Sequence, residues 1–200
     1  MDEVSLAPAS RQERLAWALY DFANSGYTTV VLTTIFSAYF VGLVAGGSGG
    51  FSSGTATLLW TLALASANLT VLIAAPIVGA IADHRATKKR FLIITTIGCA
   101  TATALLSVAG PGNVVLAMVL VSIATIMFAS GESLIASFLP EIVPANQMGR
   151  MSGYGWGLGY FGGLLTLGLC LAYIAWAKTQ GHSETQFVPV TLLITAAVFI

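Results

Sequence analysis

The chain has 200 residues, of which 56% are hydrophobic and only 8% charged, with eight Lys and Arg set against eight Asp and Glu. A soluble domain carries about 25% charged residues, so this composition excludes a chain that faces water on all sides. With a net charge of zero, the placement of charge is more informative than its sum.

Five stretches are long enough to cross a bilayer as helices, which takes roughly 20 apolar residues each. After an N-terminal segment, 1–14, the first spans 15–45 and ends in the flexible G-G-S-G-G-F-S-S-G-T. The second spans 56–82 and the third 91–109, where G-P-G-N makes a tight break. The fourth, 114–138, stops before Pro140, which cannot continue a helix without losing a hydrogen bond. The fifth spans 152–177, and a sixth begins near Phe187 and stays apolar to Ile200. Its length, ~21 Å at 1.5 Å per residue, falls short of a ~30 Å hydrocarbon core, so a truncated sixth helix is expected. Continuous apolar runs favour helices over the alternating strands of a membrane barrel. Acids and bases mixed ahead of the first run, and the length of that run, argue against a cleavable signal peptide.

Inside these runs a few polar residues stand out. Asp21, Asn24, Ser25 and Thr28 fall at i, i+3, i+4 and i+7 and share one helical face. A polar stripe on a membrane helix should face a bundle interior or a wet cavity; the alternative is that Asp21 caps or anchors its helix at headgroup level. Glu132 lies roughly 12 Å inside Pro140 at 1.5 Å per residue. A charged acid at such depth costs about 2.5–3.5 kcal/mol even on the lenient insertion scale, so it must be paired, hydrated or protonated. Asn68, mid-way along the second run, is a candidate cavity residue or an interhelical hydrogen bonder; its N-L-T context is a glycosylation sequon at an implausible depth.

The fifth run, G-Y-G-W-G-L-G-Y-F-G-G, places Gly155, Gly159 and Gly163 at four-residue spacing, a pattern that lets helix backbones pack closely. Trp156 and Tyr160 occupy an adjacent face as candidate path residues. Without a preceding strand or a P-loop Lys, the glycine run does not bind phosphate. His84 and His182 lie in loops on opposite sides of the membrane, and no nucleophile–base arrangement appears, so a membrane enzyme is not expected. Cys99 and Cys170 read as small buried hydrophobes, with no metal spacing. No cofactor, metal or nucleic-acid partner is indicated.

Seven of the eight positive residues, Arg11, Arg14, Arg85, Lys88, Lys89, Arg90 and Arg150, fall in the N-terminus and in loops 2–3 and 4–5; Lys178 is the exception. The positive-inside rule therefore places the N-terminus and these loops in the cytoplasm. The Ala- and Gly-rich, short-looped chain reads as a bacterial cytoplasmic-membrane protein rather than a vacuolar one.

In loop 2–3, G-A-I-A-D-H-R-A-T-K-K resembles the signature of the major facilitator superfamily: Gly79, Asp83 and the basics around Lys88 match, whereas His84, Ala86 and Thr87 depart from it. In loop 4–5, P-E-I-V-P-A-N-Q-M-G-R carries Glu141, Pro144, Gly149 and Arg150 in a similar facilitator arrangement. The opening W-A-L-Y-D-F-A-N-S-G-Y, with P-I-V-G-A-I-A-D, F-L-P-E-I and S-G-Y-G-W-G-L-G-Y-F-G-G, resembles the unknown-major-facilitator group, whose eukaryotic members are vacuolar amino-acid effluxers. The resemblance implies an all-α membrane protein, the six-helix N-terminal half of a facilitator built from two inverted three-helix repeats, with a C-terminal half following. It implies secondary transport of amino acids or similar small polar solutes by alternating access, as efflux and with possible proton coupling. Facilitators of sugars or drugs, and a non-transporting scaffold, are the alternatives. Gly79 is then expected to admit a neighbouring helix closely, and Asp83, Arg85, Lys88, Glu141 and Arg150 to form a cytoplasmic gate, with Asp83, Arg85, Glu141 and Arg150 in one charge network. The expected partners are a small-molecule substrate, the lipid bilayer and the second half.

Overall fold

The first helix starts where S-x-x-E spacing closes a reciprocal cap. The Glu13 N–H donates to Ser10 Oγ at 3.2 Å, and the Ser10 N–H donates to Glu13 Oε2 at 2.8 Å. This cap begins α1 (Arg11–Ala45) ahead of the apolar run itself. The computed structural model describes residues 10–84 and 87–200, with side chains except at 82–84, and all the regular structure among them is helical. Then come α2 (Ser53–His84), α3 (Lys88–Leu105, with a 3-10 turn at Leu106–Val108), α4 (Val114–Ser137), α5 (Met148–Thr179) and α6 (Glu184–Phe199).

The first five are long and apolar enough to cross a membrane; α6, with 16 residues, is apolar and shorter. Several helices run past the expected boundaries because polar residues continue them beyond the apolar stretch. The Thr55 N–H donates to Ser52 Oγ at 3.2 Å ahead of α2, and the Ser183 N–H donates to Gln186 Oε1 at 2.9 Å ahead of α6. Beyond α4, Leu139–Ile142 makes a separate turn with Pro140 at its start, where the missing N–H would have no helical partner anyway.

α1 changes character along its length. It is α-helical over Arg11–Tyr27 and Ile35–Tyr39 and π-helical over Thr28–Thr34 and Phe40–Ala45. The T-T-V-V-L-T-T run supplies a local reason. Thr29 Oγ1 donates to the Ser25 carbonyl at 2.9 Å, Thr33 Oγ1 to the Thr28 and Thr29 carbonyls at 3.0 and 2.9 Å, and Thr34 Oγ1 to the Thr29 carbonyl. Hydroxyls that bond back to the preceding turn compete with the i→i−4 ladder, and β-branched side chains crowd it.

α1 packs on α5 and α6, α4 packs on α2 and α3, and α3 meets α6. At one end, the Gly112 N–H donates to the Val44 carbonyl at 3.0 Å, tying loop 3–4 to the end of α1. Gly112 has φ of +85°, a left-handed conformation that favours glycine. At the other end, Lys88 meets Glu141 and joins loop 2–3 to loop 4–5. Successive loops therefore alternate between the two ends.

The main core fills the Gly112 end, around Tyr27, Phe36, Phe40, Leu106, Val121 and Leu192, with Trp60 stacked near Phe36 and Phe40 at ring distances of 5.9 and 5.2 Å. A small cluster, Ala18, Val143 and Met151, closes the opposite end beside α1. Between these two packed regions, along the middle of α1, lies a cavity.

Candidate functional site

The cavity has a volume of about 450 Å³ and is walled by α1, α4 and α5. It gathers Asp21, Asn24, Ser25 and Thr28 from α1, Glu132 from α4, and Trp156 and Tyr160 from α5. The α1 stripe arises from simple helical periodicity, and bundle packing adds the residues of α4 and α5. Thr29, Phe128 and Leu164 also line it. Thr29 was legible in principle, since it continues the stripe at i+4 from Ser25; Phe128 and Leu164 carry no polar signal that separates them from ordinary core residues.

Three polar rungs hold α1 against α4 along their antiparallel contact. Trp17 Nε1 donates to the Ile135 carbonyl at 2.8 Å, Asn24 Nδ2 donates to Glu132 Oε1, and the Tyr27 and Thr125 hydroxyls meet at 2.9 Å. The middle rung borders the cavity. Asn24 is 1% exposed, and its Oδ1 has no hydrogen-bond partner among the described residues, whereas Glu132 is exposed. Sequence reading missed Trp17 and Tyr27, because a single Trp or Tyr in an apolar run does not announce a cross-helix bond.

The α5 wall is made of glycines. A Cβ on Gly155 would lie 2.6 Å from the Trp17 ring, one on Gly159 2.8 Å from both Asp21 Oδ2 and Ser25 Oγ, and one on Gly163 2.7 Å from Thr29 Oγ1. Gly162 sits against the backbone of Phe22. The four-residue glycine spacing therefore faces α1 and leaves room for the Asp21 carboxylate. On the adjacent face, Trp156 and Tyr160 are 73% and 66% exposed, with ring centroids 6.0 Å apart.

Asn68 does not join this site. It is exposed on α2, and its Nδ2 donates to the Leu64 carbonyl at 2.9 Å. The buried face of α2 runs through Ala56, Trp60, Ala63 and Ala67, and the next residue is turned about 100° away from it.

Of the expected gate residues, two meet each other. Lys88 Nζ lies 2.6 Å from Glu141 Oε1 and over the Phe138 ring. Arg150 is not in that pair: its Nε donates to the Tyr154 hydroxyl at 3.0 Å and its guanidinium lies over the same ring. Arg150 and Tyr154 are one turn apart on α5, so the partner is local. Among the described residues, none comes within 4 Å of a Cβ placed on Gly79. It borders instead a separate cavity of about 100 Å³ with Lys88, Ser130 and Ser133. Arg85 and the side chain of Asp83 lie outside the described residues.

Comparison with known proteins gives two findings. The model of a family described as vacuole effluxer Atg22 like matches residues 48–200. The uncharacterized MFS-type transporter YxiO of Bacillus subtilis (strain 168) is 30% identical over 190 residues, which cover 94% of this chain and 44% of the relative. The chain thus spans less than half the length of that relative. No solved structure matches.

Proposed function

This chain belongs to the vacuole effluxer Atg22-like family, and from that premise we propose that it is one half of a secondary transporter working by alternating access. The protein is a multi-pass membrane protein, with five helices long and apolar enough to span. The observation that carries the transport reading is the cavity itself. Acids, an amide and hydroxyls from α1 and α4 border an open volume part-way along bilayer-length helices. Polar groups at such depth are expensive unless they serve a wet pathway.

The packing pattern supports a reading as two inverted three-helix repeats. Exchanging α1, α2 and α3 for α4, α5 and α6 respectively turns the α1–α5 contact into α4–α2 and α1–α6 into α4–α3. The same exchange leaves α3–α6 unchanged, and all of these contacts occur. Facilitators place the substrate near the midplane between two such halves, so the second half is proposed to close the open side of the cavity, where Trp156 and Tyr160 are exposed. The substrates proposed are amino acids or similar small polar solutes, moved as efflux with proton coupling. The Lys88–Glu141 bridge is proposed as a cytoplasmic latch of the cycle.

The test is counterflow in proteoliposomes of the full-length protein, with a panel of amino acids, sugars and drugs, with and without a proton gradient. Saturable exchange of an amino acid is expected. Absence of exchange for every member of the panel would remove the transport reading.

A further inference from the structure

The charge of the cavity is one-sided. Asp21 and Glu132 are acids, and none of the lining residues is Lys, Arg or His. The Asp21 carboxylate makes no hydrogen bond or ion pair among the described residues; Ser25 Oγ donates to its backbone carbonyl instead. The Glu132 carboxylate receives the Asn24 amide, and Asn24, buried at the cavity wall, still has an acceptor without a donor. The site therefore has unfilled acceptor capacity and two acids with no basic residue in the cavity lining beside them.

A primary ammonium answers both deficits. It brings one positive charge and three donors, enough to meet carboxylates from two helices at once. Trp156 and Tyr160 add exposed aromatic faces, which attract cations and cover apolar bodies. A bare metal ion fits less well, because no group of three or more His, Cys, Asp or Glu is placed to hold one among the described residues. A carboxylate in the same volume would meet two like charges. The volume, about 450 Å³, falls in the range of roughly 300–1,000 Å³ usual for small-molecule sites.

We propose that this cavity selects its solute by a positively charged nitrogen seated between Asp21 and Glu132, so that amines are accepted and the corresponding acids refused. The inference rests on the transport reading in taking the cavity as the solute site, and it names the end of the solute that this half recognises. Asp21 and Glu132 are then the specificity-determining residues, and the aromatic pair carries the body of the solute.

The experiment is a thermal-unfolding titration of the purified full-length protein with three probes sharing one ring: L-tyrosine, tyramine and 3-(4-hydroxyphenyl)propionate. Tyramine and tyrosine should raise the midpoint, with half-saturation at least about tenfold below that of the acid, equivalent to about 1.4 kcal/mol. Asp21→Asn and Glu132→Gln should each weaken the tyramine response, while Asn68→Ala leaves it unchanged. An acid response equal to that of tyramine, a tyramine response that survives both acidic-site substitutions, or no response to any probe overturns the proposal. A midpoint shift from sodium chloride without one from tyramine overturns it too. The wild-type comparison decides the question even if a substituted protein fails to fold. Counterflow of solutes without preference for amines would sink this inference and leave the transport reading standing. Amine-selective binding without any flux would do the reverse.

Discussion

The side-chain amide of Asn24 donates to the carboxylate of Glu132 across the contact between α1 and α4. This pair is the middle of three polar rungs, between Trp17–Ile135 and Tyr27–Thr125. It is also the rung that borders the cavity. One bond therefore joins the stability of the bundle to the chemistry of its central space.

Glu132→Gln keeps the size and an acceptor for the Asn24 amide while removing the charge. Expression and thermal midpoint should stay near those of the wild type, and gradient-driven uptake into proteoliposomes should be lost. Wild-type uptake by the Gln protein would remove Glu132 from the mechanism.

The α1–α5 seam predicts a sharp contrast between two glycines. A Cβ on Gly162 would fall 2.6 Å from the Phe22 carbonyl carbon and 2.8 Å from its Cα, backbone atoms that cannot rotate aside. Gly162→Ala should destabilise by about 1–3 kcal/mol, the usual cost of overpacking. Gly168, also on α5, has no described residue within 4 Å of a Cβ, so Gly168→Ala should be neutral or gain up to about 1 kcal/mol of helix propensity. Differential scanning of the purified proteins measures both, and equal midpoints would refute the close approach.

Trp17→Phe removes the bond from Nε1 to the Ile135 carbonyl and draws the ring back from Gly155, which faces the six-membered ring of the indole. A loss of about 0.5–1.5 kcal/mol is expected for one such hydrogen bond, again visible in the thermal midpoint. A change of zero would show that the rung contributes nothing to stability.

Lys88 and Glu141 are 17% and 52% exposed, so their bridge should contribute only about 0–1 kcal/mol to stability. Its consequence should appear in the access equilibrium instead. Glu141→Gln is expected to raise labelling of engineered cysteines at the loop 2–3 end, and the double exchange Lys88→Glu with Glu141→Lys to reverse much of that rise. Labelling that does not respond to either change would exclude a latch.

What was legible in the sequence follows a physical pattern. The polar stripe Asp21–Asn24–Ser25–Thr28 depends on helical periodicity alone, and those residues do line one cavity. The spacing of Gly155, Gly159 and Gly163 likewise produced a close helix contact, though its partner, α1, was not deducible from the spacing. Asn68 and Gly79 lie away from that cavity, because a polar or small residue in an apolar run says nothing about which way its helix is turned. The Arg150–Tyr154 contact was not read from the sequence, although a phenol one turn away offers both a hydrogen bond and a ring face. The π-helical stretches of α1 were invisible to a reading that assumed one period throughout.

By itself the sequence determined that this chain forms membrane-length helices, because runs of about 20 apolar residues match the hydrocarbon thickness and must satisfy their own backbone hydrogen bonds. Only the tertiary structure decided that Asp21, Asn24, Glu132, Trp156 and Tyr160 share one space. Their meeting depends on how three helices are rotated and paired. That choice is made by close packing at Gly155, Gly159, Gly162 and Gly163 and by the rungs from α1 to α4, contacts between residues far apart in the chain.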